Sequence, residues 1–139
     1  MIAQLRGEIV QIDGNSVIMD VGGVGYALSV SGRTQGMLSG KTGMVTVLTD
    51  MQVREDSMTL YGFADSAERD AFRLLVTVQG VGAKAAMAIL SVLSPDALAT
   101  AIMAGDKAMV TRADGVGPKL AQRVVLSLIH ISEPTRRTI

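Results

Sequence analysis

The chain of 139 residues has no cysteine and no tryptophan, three prolines, one histidine, two tyrosines and two phenylalanines. Without cysteine, disulfides, thiolate metal sites and cysteine nucleophiles are all excluded. The one histidine, His130, lies in a terminal stretch whose grammar differs from the rest, and it is given no functional weight. The four aromatics, Tyr26, Tyr61, Phe63 and Phe72, are more simply core residues than a stacking platform for single-stranded nucleic acid. No apolar run approaches the roughly 20 residues that a membrane span needs. The opening Met1-Ile2-Ala3-Gln4-Leu5-Arg6 lacks the basic-then-apolar form of a signal peptide. A soluble, cytoplasmic protein is expected.

Net charge is also missing: 13 basic residues balance 13 acidic ones. Residues 1–63 hold four basic and six acidic groups, and residues 64–125 hold seven and six. This is not the bulk basicity of a protein that coats nucleic acid indiscriminately, so any such contact comes from a local surface.

What is present divides into two kinds of sequence. Ten of the 15 glycines fall within residues 1–63, where short runs of β-type residues alternate with turn signals. These runs are Leu5–Ile12, Ser16–Val21, Val24–Val30, Met44–Thr49 and Met58–Phe63, separated by Asp13-Gly14-Asn15, Gly22-Gly23 and longer loops. About five or six short strands in so few residues favour a closed barrel, because closure removes exposed edges. An OB-like β-barrel over 1–63 is expected.

From residue 64 the period becomes helical. Asp65-Ser66-Ala67-Glu68 reads as a capping box, followed by Ala71, Phe72, Leu75 and Val76 on one face. Ser94-Pro95-Asp96 marks a second helix start, and Asp106 opens a short helix. The expected fold class is α+β: the barrel, then an all-α domain over 64–125 with two helix-hairpin-helix motifs.

Those motifs rest on an internal repeat. Gly80-Val81-Gly82-Ala83-Lys84 returns as Gly115-Val116-Gly117-Pro118-Lys119, an offset of 35 residues (from 80 to 115). Paired glycines permit a tight turn and leave backbone N–H groups unobstructed. A helix starting at once adds its unpaired N–H groups and its positive dipole end. The result suits a phosphate, with Lys84 and Lys119 each adding a charge and Arg123, about one turn after Lys119, within reach. A dinucleotide fingerprint would need a strand before Gly80, where Glu68–Val78 reads as a helix. Glycines serving packing geometry alone remain an alternative.

Glu55-Asp56 stands between two expected strands. Adjacent acids at a turn are usually solvated surface, and as nuclease metal ligands they would lack a convincing third partner.

Taken together, the paired hairpins, Val21-Gly22-Gly23-Val24-Gly25-Tyr26, Val53-Arg54-Glu55-Asp56, Leu60-Tyr61-Gly62-Phe63 and the opening Met1-Ile2 with Leu5-Arg6-Gly7 resemble the RuvA family. Its members are the Holliday-junction-binding subunits of the bacterial branch migration complex, and the likeness runs from residue 1 to about 125. The resemblance implies a non-catalytic, sequence-independent binder of four-way DNA junctions, acting in recombination, repair and the SOS response. It implies a homotetramer or octamer that works with the RuvB motor and the RuvC resolvase. Gly80, Gly82, Lys84, Gly115, Gly117, Lys119 and Arg123 then hold the DNA backbone, and Glu55 and Asp56 form an acidic pin at the tetramer centre. No cofactor or metal is implied for this subunit; ATP and magnesium belong to RuvB, and no Gly-x-x-x-x-Gly-Lys-Ser/Thr loop is present here. A helix-hairpin-helix glycosylase or nuclease is the alternative, but Ser91–Asp106 offers little from which to build a catalytic pocket.

Residues 126–139 break the pattern. Eleven consecutive residues, Leu126 to Arg136, match the in-frame translation of a transposase sequencing adaptor; a natural helix end and linker is the other reading. On the adaptor reading the family's RuvB-binding domain is missing and motor recruitment is lost. Resequencing the locus from an independent library tests that expectation.

Overall fold

The structure, a computed structural model, describes residues 1–132; the last adaptor-like residues, 133–136, lie outside it. The described chain forms two compact units, dividing at Arg69 and Asp70.

The first unit is a closed five-stranded barrel. Its strands are β1 (Gln4–Asp13), β2 (Ser16–Val21), β3 (Val24–Val30), β4 (Met44–Val53) and β5 (Met58–Phe63). They close in the order β1-β2-β3-β5-β4, with all pairings antiparallel except β3 with β5. Tight turns at Gly14-Asn15 and Gly22-Gly23 fix the register of the first three strands. Alternate side chains point inward, so Val17, Met19, Leu28, Val30 and Val47 are buried in one core.

One element has no counterpart in the expected pattern. Helix α1 (Gly32–Leu38) stands where the sequence shows only a loop. Its Ser31 N-cap accepts from the Thr34 N–H at 3.1 Å, and Leu38 joins the barrel core.

The capping-box expectation needs correction. Asp65 does accept the Glu68 N–H, at 2.9 Å, at the start of α2 (Ser66–Leu75). The Glu68 side chain does not return to its own helix start. It is fully buried and accepts from the Ser31 hydroxyl at 2.8 Å and from the Thr34 hydroxyl. Arg33 lies 3.5 Å from both Glu68 and Asp65, an ion-pair distance without hydrogen-bond geometry at its Nη1. The first turn of α2 thus belongs with the barrel unit, which is why the division lies beyond Phe63, where the strands end.

The second unit continues through α3 (Ala83–Val92), α4 (Pro95–Ala104), α5 (Lys107–Val110) and α6 (Pro118–Ser132). Its core repeats with the sequence: Leu75 and Val110, Val78 and Ala113, Val81 and Val116, Ala86 and Ala121, and Ile89 and Val124 are all buried. Leu93 and Leu128 extend the series into the stretch read as a tail, and α6 runs through it to Ser132.

Candidate nucleic-acid interface

The repeated phrase folds twice into the same backbone. Val78 N–H donates to Leu75 O at 3.0 Å, and Ala113 N–H to Val110 O at 3.1 Å. Val81 N–H donates to Val78 O at 3.0 Å, and Val116 N–H to Ala113 O at 3.1 Å. Ala86 N–H to Gly82 O and Ala121 N–H to Gly117 O, both 3.0 Å, then open the following helices.

The two glycines of each copy do different jobs. Gly80 and Gly115 turn the chain with φ of +90° and +77°, which a side chain would strain. Gly82 is extended, with φ −89° and ψ −179°, and caps α3 with no side-chain hydrogen bond. A Cβ on Gly117 would meet nothing within 4 Å, so nothing inside the described chain demands glycine there. Without a side chain, Gly117 leaves the backbone of this exposed helix start uncovered.

The helix starts show the same bias. α1, α4 and α5 are capped by Ser31, Ser94 and Asp106. α3 has no such cap, and neither α3 nor α6 has an acidic residue in its first turn. Each carries an exposed lysine there instead, Lys84 or Lys119. A cation at the positive end of a helix is electrostatically misplaced unless an anion joins it. An open helix start with an exposed lysine beside it is an arrangement that suits an anion such as phosphate, and it occurs here twice.

Arg123 is exposed on α6, and its guanidinium lies over the first hairpin, donating to the Gln79 carbonyl at 3.1 Å. Sequence spacing could not show this, because donor and acceptor are 44 residues apart. Asp114, at the position matching Gln79, is an exposed acid absent from the sequence-predicted site; comparing the residues before Gly80 and Gly115 would have found it.

In the barrel unit, Glu55 and Asp56 are exposed at the tip of the β4–β5 hairpin. The tip is closed by Arg54 N–H donating to Ser57 O at 2.8 Å, beyond the last strand pair, Val53 with Met58. Among the described residues no three acidic or histidine side chains gather as a metal site. Nor is any single helix there long and apolar enough to cross a membrane.

The architecture is that of an OB-like barrel followed by a tandem helix-hairpin-helix unit. Residues 1–62 match the family model described as RuvA N terminal domain, and residues 72–128 the one described as SAM-like Helix-hairpin-helix tandem. The chain is similar to proteins named Holliday junction branch migration complex subunit RuvA. That of Zymomonas mobilis is 52% identical over 128 residues, 92% of this chain and 60% of the relative. Those of Acidiphilium cryptum and Gluconobacter oxydans are 52% and 53% identical over the same share of this chain, and 63% and 64% of their lengths are covered. Residues 1–62 thus carry a RuvA N-terminal domain and residues 72–128 a tandem helix-hairpin-helix domain, and the chain is similar to RuvA subunits over 128 residues. It spans less than two thirds of the length of these relatives.

Proposed function

We propose that the chain binds four-way DNA junctions by their shape, as a non-catalytic subunit of a branch migration complex. The observation that carries this reading is the hairpin built twice, each copy with open backbone N–H groups and an exposed lysine. Such sites grip phosphates and read no base, so recognition is of backbone geometry. Gly80, Gly82, Lys84, Gly115, Gly117, Lys119 and Arg123 form the backbone-binding set, and Glu55 and Asp56 the repelling pin. A homotetramer, or an octamer of two, would present these sites to four arms around a centre lined by the acids. ATP hydrolysis and its magnesium belong to the RuvB motor, which this subunit targets to the junction, and RuvC acts on the same substrate. The barrel and tandem-hairpin units carry DNA binding, while motor recruitment is assigned to neither. The setting is cytoplasmic recombination and repair, within the SOS response.

Competition among a four-way junction, a linear duplex and a single strand at matched salt tests the reading. The junction should win clearly. Equal affinity for all three overturns the assignment.

A further inference from the structure

The two hairpins repeat in backbone but differ in what stands beside them. At the first, Arg123 Nη1 donates to the Gln79 carbonyl at 3.1 Å, and a Cβ on Gly80 would come within 2.7 Å of that same nitrogen. At the second, a Cβ on Gly115 would meet nothing within 4 Å. The residue before that glycine is Asp114, an exposed carboxylate. The first hairpin therefore has Lys84 and the bound Arg123 about it, while the second has Lys119 and Arg112, whose guanidinium turns to Met109 Sδ, with the acid Asp114 between them in sequence.

We infer that Arg123 is a positioning residue for the first hairpin, clamping it from α6, and that this hairpin is the stronger of the two phosphate sites. The inference rests on the reading of both hairpins as backbone-binding sites. A turn through a left-handed glycine is loose, and ordering it on binding costs conformational entropy. A guanidinium held against Gln79 O limits that freedom beforehand, so less binding free energy is lost to ordering. The planar fork has five N–H donors, and one bond to a carbonyl leaves others to face an incoming phosphate oxygen. Glycine at position 80 is then required by its backbone angle, and a side chain there would also push the Arg123 guanidinium off its place. Gly115 is required by its angle alone.

The matched amides Val81 and Val116 supply the test, since each donates to the equivalent carbonyl at 3.0 and 3.1 Å. In the free protein, Arg123→Met should speed hydrogen exchange at Val81 by roughly fivefold, as expected when one charge-assisted bond is lost at a partly exposed site. Val116 should not change, which also shows that the variant is folded. In junction binding, Lys84→Ala should weaken affinity more than Lys119→Ala, and the gap should narrow in the Arg123→Met background. Arg123→Lys keeps the charge without the planar fork, so it should restore the salt dependence of binding and leave Val81 exchange fast. Unchanged Val81 exchange in Arg123→Met overturns the clamp and makes Arg123 a DNA contact only. Equal losses for the two lysine variants overturn the asymmetry. The exchange measurement needs no DNA, so it tests the clamp even if the junction assignment fails.

Discussion

Glu68 has no exposed surface, and its carboxylate accepts from hydroxyls of Ser31 and Thr34, which precede it by 37 and 34 residues. Thr34 Oγ1 in turn accepts the Ala64 N–H at 3.4 Å, and Arg33 stands at ion-pair distance. Such a cluster is stabilising only while complete, because each polar group in it has already lost its water. Glu68→Ala would leave two hydroxyls without their acceptor and Arg33 without its buried partner, at a cost of about 3–5 kcal/mol. Glu68→Gln keeps the shape and an acceptor, and should cost markedly less. The chain's two tyrosines, Tyr26 and Tyr61, both lie in the barrel strands and there is no tryptophan, so tyrosine fluorescence during urea denaturation reports on this unit alone. Midpoints for both variants equal to that of the unsubstituted chain would show that the carboxylate's charge and bonds contribute nothing.

At the level of elements, helix starts show how the molecule divides stability from binding. Ser94 caps α4 by accepting the Ala97 N–H at 3.1 Å, and Asp106 caps α5 by accepting the Met109 N–H at 3.3 Å. α3 lacks a side-chain cap and carries Lys84 in its first turn. Reversing the charge there, with Lys84→Glu, should raise stability by a few tenths of a kcal/mol while weakening DNA binding. Lys84→Ala and Lys119→Ala should each lower the slope of log affinity against log salt by about one unit. Thermal melts and salt titrations of the same variants check both halves, and a destabilised Lys84→Glu would mean that its lysine already has an anionic partner within the fold.

Local grammar makes most of these elements legible. The five strands show in the alternation that places Val17 with Met19, and Leu28 with Val30, inside the barrel. The repeat shows in residues that recur at one offset and are buried at both places. α1 is hidden because its seven residues include Gly32 and Gly36 and no helical stripe; its single local sign is the Ser31 cap. The partners of Glu68 and Arg123 escape sequence reading for one shared reason. Glu68 has a partner by spacing at its own helix start and Arg123 has none on α6, yet each bonds a group far away in sequence, which no periodicity reports.

For the whole molecule, a net charge of zero conceals a division of labour. The helical unit offers cations at two hairpins, while the barrel unit puts Glu55 and Asp56 at an exposed tip. In the proposed tetramer the four tips meet where the strands exchange, and there they repel phosphates. Each carboxylate is exposed, so its repulsion for one phosphate is about 1 kcal/mol at 4 Å in water. One subunit could hardly discriminate on that basis, but four copies around a single centre accumulate the effect. A linear duplex laid across the centre brings phosphates against the tips; an open junction leaves the centre to them. Glu55→Gln with Asp56→Asn should therefore tighten duplex binding severalfold, change junction binding little, and so lower selectivity. The gain should fade at high salt, since charges this exposed are screened over roughly 10 Å at 0.1 M. Gel-shift competition between junction and duplex across a salt series measures all three effects. Selectivity that stays the same after both acids are neutralised would show that the tip plays no part in discrimination.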